Sequence, residues 1–268
     1  MTAEVESGWR GYARYVAIGD SQTEGLWDGD DTTGVVGFAD RLADMLDDHR
    51  PGVAYANLAI RGRMVADVLN DQLPLALEMQ PDLITVCAGM NDTTKPGRSF
   101  DRALADLDLL YRQLAASGAT VVTTTFPDVT RLLPVGRLLG KRLARINDAI
   151  RTASATYGLA LVDLYTAPSM LEPSTWSADR MHASTKGHIL FARAAAEAIG
   201  MPGSSHAWAE ATGTETISGF VARTRAQAQW TKNMFVPWAW RHARGRSAGD
   251  GRDPKHPRLV PVNTRCST

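Results

Sequence analysis

The chain has 268 residues, 29 basic and 29 acidic side chains, and an apolar fraction of 44%. That length suits one large domain or a domain with an appendage, and the apolar content is enough for a sizeable core. A neutral charge balance argues against bulk electrostatic binding of nucleic acid. Cys87 sits in an apolar run and Cys266 near the polar end, which argues against a disulfide scaffold or a cysteine-based metal site. The first 14 residues carry Glu4, Glu6, Arg10 and Arg14 and no apolar core of a secretory leader. No stretch approaches the roughly 20 apolar residues of a membrane span. The expectation is a soluble, cytoplasmic protein.

Five short runs rich in Val, Ile, Leu or Thr read as strands: 14–18, 53–57, 83–87, 120–125 and 159–164. Most are apolar throughout, as in strands buried on both faces of a parallel sheet. Helical patterns alternate with them. Val36–Asp48 spaces Phe38, Leu42, Met45 and Leu46 on one face. Met64–Met79 contains Pro74, a kink or break. Ser99–Ala116 carries a clean amphipathic stripe, closed by Gly118. Leu138–Tyr157 and Ser184–Ile199 complete the series. This alternation predicts βαβ units and a three-layer α/β/α sandwich on a five-stranded parallel sheet, flavodoxin-like, with ligands beyond the C-terminal strand ends.

Composition shifts near Met201. Residues 1–203 read as the main domain and 204–268 as a helical and basic extension. Within it, Arg223–Arg258 holds nine Lys or Arg against two Asp. Trp230, Phe235, Trp238 and Trp240 are interleaved with Lys232, Arg241, Arg244 and Arg246. Two fates are open for them: folding back onto the domain, which is favoured, or weak contact with an anionic membrane or a protein groove. From Ser247 onward, low apolar content predicts a flexible end.

Four loops carry chemistry. Gly19-Asp20-Ser21-Gln22-Thr23-Glu24-Gly25 follows the first strand and exposes a serine at a strand-to-helix turn. Gly62 follows the second strand, where a backbone N–H can approach a substrate oxygen. Gly89-Met90-Asn91-Asp92 follows the third, and an Asn amide can donate to an oxyanion. Asp179-Arg180-Met181-His182 spaces a carboxylate and an imidazole so that the first can fix the tautomer of the second. Ser184 is a candidate N-cap for the next helix. His188 reads as packing or surface. Singly, each loop has an ordinary structural explanation. Jointly they fall where one site can collect them.

In these four blocks, in this order, the chain resembles the SGNH hydrolase superfamily, the GDSL-type esterases and lipases, over residues 14 to about 200. The resemblance implies an esterase acting on carboxylic esters, with thioesters as an alternative, in which Ser21 is the nucleophile, His182 the general base and then acid, and Asp179 orients His182. It implies an oxyanion hole of the Ser21 and Gly62 N–H groups and the Asn91 side chain. Asp20, Gly89 and Asp92 would support the loops. It implies a small acyl ester substrate and no metal or cofactor. The chain departs from the family twice. Gln22 stands in place of the signature Leu, with no expected part in the chemistry. Ala183 stands where many relatives have Pro, which should loosen the histidine loop. The segment Phe126–Gly140, with Leu132, Leu133, Val135, Leu138 and Leu139, could line an acyl pocket or pack on the core. Trp27 and Trp176 could wall the site or simply pack. The rival reading is a catalytically silent α/β ligand-binding module that keeps the loops.

Overall fold

The computed structural model describes residues 9, 11–95, 97–128, 130, 136–213 and 248–267. Its main strands are β1 (Arg14–Gly19), β4 (Ala54–Asn57), β5 (Leu83–Cys87), β6 (Thr120–Thr124), β7 (Ala160–Val162) and β8 (His256–Pro261), with a small hairpin of β2 (Gly29–Asp30) and β3 (Gly34–Val35). The large sheet has the order β7-β6-β5-β1-β4-β8. The first five are parallel in the flavodoxin-like order, and β8 pairs antiparallel with β4. The sheet therefore has six strands, not the five read from the sequence. The sixth comes from the tail that low apolar content marked as flexible. An edge strand needs one partner and no core face, so His256–Pro261, with no fully buried residue, gives no strand-like apolar run.

Side chains of β1 divide between two layers, as the pleat requires. Val16 and Ile18 pack with Phe100, Leu107 and Ile146 in one core, and Tyr15 and Ala17 with Phe38, Leu42 and Phe191 in the other. The first layer holds α3 (Val65–Asp67), α4 (Leu73–Glu78), α5 (Arg98–Ala116) and α6 (Gly136–Tyr157). The second holds α2 (Gly37–His49) and α7 (Thr185–Ala198). The short α1 (Ser21–Glu24) follows β1. The break foreseen at Pro74 is a π-helical turn, Val68–Gln72, between α3 and α4. Pro74 offers no N–H to the preceding turn, and the wider turn absorbs the mismatch. Ser184 caps α7, its side chain accepting from the Gly187 N–H.

The segment leading into β8 is a strap across the end of the sheet that carries Ser21. A Cβ at Gly249 would stand 2.2 Å from the Arg61 carbonyl oxygen, so only glycine fits this approach. The Lys255 ammonium donates to the carbonyls of Glu24 at 2.6 Å, Val35 at 3.1 Å and Val36 at 2.5 Å, and to Asp40 Oδ2 at 2.5 Å. Glu24 ends α1, so the strap fixes the helix that starts at Ser21. The aromatic and basic residues between 223 and 246, and Leu132, Leu133 and Val135, lie outside the described residues. Replacing Lys255 by Met removes the cation and leaves Asp40 and three carbonyls short of a donor. It should cost on the order of 2–4 kcal/mol of folding stability, read by urea denaturation.

Candidate active site

Ser21 stands at the switch point of the sheet, after β1, where neighbouring strands run outward on either side. The turn is made by Gly19 at φ 143°, where a Cβ would meet the Cys87 carbonyl oxygen at 2.3 Å. Gln72 fixes this glycine from below. Its Oε1 accepts from the Gly19 N–H at 2.8 Å and its Nε2 donates to the Gly19 carbonyl at 2.9 Å. Asp20 caps α1 by accepting from the Gln22 N–H. The side chain of Ser21 therefore leaves a backbone held on both sides.

The histidine arrives from the other end of the chain. Ser21 Oγ lies 2.7 Å from His182 Nε2, and His182 Nδ1 lies 2.6 Å from Asp179 Oδ2. A carboxylate only accepts, so Nδ1 carries the proton and Nε2 is left to accept from the serine hydroxyl. Arg180 has φ 57°, and this left-handed step folds the loop back on Asp179. Asp179 Oδ1 then accepts from Ser177 Oγ at 2.7 Å and from the Met181 and His182 N–H groups at 2.9 Å each. Burial would raise the Asp179 carboxyl, but the hydrogen bond and charge of His182 and these N–H donors hold it at about 2. It therefore stays ionised across the neutral range.

Asn91 and Gly62 are joined through Arg63. Asn91 Nδ2 donates to the Arg63 carbonyl at 2.9 Å and to Asp20 Oδ2 at 3.2 Å, so both its hydrogens are engaged. Gly62 adopts φ 77° in the turn just before Arg63. Asp92 accepts from the Val65 N–H at 3.0 Å, tying its loop to α3. Gly89, at φ 118°, passes so close to Ile146 that a Cβ would meet its Cδ1 at 2.5 Å. Burial raises Asp20 to about 7 against the opposing pull of the Gln22 N–H and His182, and raises Asp92 to about 6 against that of the Val65 N–H.

Several supporting groups escaped the sequence reading. Glu24 and Arg61 form a buried ion pair, Arg61 Nη2 to Glu24 Oε1 at 2.6 Å, and Glu24 Oε2 also accepts the Arg61 N–H at 2.6 Å. Arg61 continues to Asp31, and Asp31 to Arg252 of the strap. The loop before Gly62 is thus pinned by α1, the hairpin and the strap together. Gln72 carried a usable signal, a polar residue among Leu69 and Leu73 on a core-facing helix; the ion pair had none, since its partners lie 37 residues apart. Two side chains expected either at the site or in packing now separate. Trp176 is buried, with Nε1 donating to the Met170 carbonyl at 2.8 Å. Trp27 is 41% exposed at φ 74°. His188 is buried, accepting from the Phe38 N–H and donating to the Leu26 carbonyl, and burial depresses it to about 4. Leu138 is 84% exposed and packs on no core.

A doubly wound α/β sandwich with a hydroxyl, an imidazole and a carboxylate in line at its switch point has the layout of an α/β-type hydrolase. The chain belongs to the GDSL-like Lipase/Acylhydrolase family, whose model matches residues 17–190, and is an ester-hydrolysing enzyme. No curated protein matches it significantly. Among solved structures it is similar to LAE5, an alpha/beta hydrolase enzyme from the metagenome of Lake Arreo, with 22% identity and a TM-score of 0.58 over 72% of this chain and 97% of that one. It is also similar to Axe2, an acetylxylan esterase from Geobacillus stearothermophilus, with 20% identity and a TM-score of 0.59 over 70% of this chain and 94% of that one.

The raised Asp20 carboxyl makes stability depend on pH. The folded state keeps a proton that the unfolded chain releases above about pH 4, so this contribution is complete at low pH and is lost as pH rises towards 7. Asp20→Asn keeps a capping acceptor but cannot ionise. Its stability relative to the wild type should climb between pH 4 and 7 and then level off. The climb should reach a few kcal/mol, because each tenfold change in proton affinity is worth about 1.4 kcal/mol. Urea denaturation of both proteins across that range measures it.

Proposed function

We propose that the enzyme cleaves carboxylic esters through an acyl-enzyme on Ser21. The observation that carries this is the continuous hydrogen-bonded line from Asp179 through His182 to Ser21. His182 Nε2 takes the hydroxyl proton as Ser21 Oγ attacks the acyl carbon. Asp179 stays ionised and stabilises the imidazolium without taking its proton. His182 then protonates the departing alkoxide. In the second half, it draws a proton from water, which attacks the acyl carbon and releases the acid and Ser21.

The Ser21 and Gly62 N–H groups and the Asn91 amide receive the oxyanion in this reading. In the resting arrangement the Asn91 hydrogens are on Asp20 and Arg63, so one must be redirected. The 3.2 Å contact to Asp20 is the weaker and the one to yield. Gly62 supports the role by its turn, held on one side by the Glu24–Arg61 pair. Asp20, Gly89 and Asp92 brace the loops. The chemistry as proposed calls on no metal or cofactor. Substrates are small acyl esters, and the Axe2 likeness makes acetylated sugars a sensible member of any panel. A silent binding module would have no use for an ionised carboxylate that fixes the histidine tautomer.

Ser21→Ala should abolish turnover of p-nitrophenyl esters and block labelling by a fluorophosphonate, with the fold intact by circular dichroism. Persisting turnover would overturn the assignment. Asn91→Ala should lower kcat about 10²- to 10³-fold, as for loss of one oxyanion donor. A panel from p-nitrophenyl acetate to palmitate, run beside acyl-CoA and acetylated xylo-oligosaccharides, should separate acyl length and leaving-group preference.

A further inference from the structure

The two departures from the family pattern meet at one hydrogen bond. Gln22 follows Ser21 on α1, and Ala183 follows His182. The Ala183 N–H donates to Gln22 Oε1 at 3.2 Å, and Gln22 Nε2 donates to the Met181 carbonyl at 3.0 Å. One carboxamide thus bonds the main chain on both sides of His182, as a neighbouring strand would. A proline at 183 has no N–H to give, and a leucine at 22 has nothing to receive it with.

The rest of the histidine strip is held by its own loop. The Met181 and His182 N–H groups donate to Asp179 Oδ1, and the His182 carbonyl accepts from the Ser177 N–H at 2.9 Å. Those partners fix the shape of the loop but not its distance from the serine. Gln22 belongs to the helix that begins with Ser21, so its two bonds act between the two reacting side chains. Their heavy atoms must stay near 2.7 Å for proton transfer, and small displacements there cost rate steeply.

We infer that Gln22 is a positioning residue that sets the Ser21–His182 distance by clamping the backbone on either side of His182. Its substitution should impair chemistry more than binding. The inference rests on the proposed roles of Ser21 and His182.

The test compares wild type, Ser21→Ala, Gln22→Leu and Gln22→Glu on one p-nitrophenyl ester, with fluorophosphonate labelling rates and thermal melts. Gln22→Leu, which restores the family signature, should lower kcat and the labelling rate about 10-fold or more, with KM within a factor of two. Gln22→Glu keeps the acceptor for the Ala183 N–H but sets a carboxylate oxygen against the Met181 carbonyl. Protonation of that carboxyl restores a donor, so the ratio of variant to wild-type kcat should rise as pH falls from 8 to 5. In both proteins Asp20 accepts the N–H of this position, and Asp179 and His182 adjoin the main-chain groups it bonds; the ratio cancels what the two proteins share. A merely structural role would lower the melting temperature without that pH-dependent ratio. Full kcat in Gln22→Leu, or a flat ratio for Gln22→Glu, would overturn the inference. An inactive, unlabelled wild type, or an active Ser21→Ala, would instead bring down the reading of the site on which it stands.

Discussion

The serine and the imidazole are 161 residues apart in the chain, yet the proposed reaction requires their atoms to stand within hydrogen-bond reach. Most of the described structure bears on that requirement. A parallel sheet delivers every connecting loop that follows a strand to the same edge, so the turn after β1 and the loop before α7 face one another. Strands buried in two cores keep that edge rigid, and rigidity matters because proton transfer tolerates little misplacement.

Each loop at the edge is held by groups that are themselves buried and bonded. Gln72 grips the main chain of Gly19, Asp179 gathers the histidine loop around one oxygen, and Arg61 is caught by Glu24 before Gly62. The two carboxylates closest to the chemistry are driven in opposite directions. Asp179 is kept ionised by a partner and several donors, while burial outweighs the donors available to Asp20. In the proposed reaction the first must remain an acceptor for the imidazole. The second caps a helix and holds Asn91, tasks that tolerate a proton.

The C-terminal strap alters how the domain is built. Lys255 ties the end of α1 to the start of α2, and Arg252 extends the ion-pair chain that begins at Glu24. Among the described residues no helix is long and apolar enough to cross a membrane. Paired with β4 and bonded to the end of α1, the strap is an integral piece of the sheet's edge that also braces the loops around Ser21.

Elements with strong local signals were legible in the order of amino acids alone. The five parallel strands announce themselves as short runs rich in Val, Ile, Leu or Thr, most of them apolar throughout, and α5 because its stripe repeats at helical spacing. Ser21, Asp179 and His182 were legible because residue type and block order constrain them together. Whatever depends on a distant partner emerged only in the folded chain. An edge strand such as β8 has no apolar pattern to display. The Glu24–Arg61 pair and the Lys255 contacts join segments with no local relation. Gln22, with no expected part in the chemistry, and Ala183, expected to loosen its loop, acquire meaning only where the two loops face each other. Local sequence encodes backbone preference and burial; a hydrogen bond between loops exists only once the sheet has brought them together.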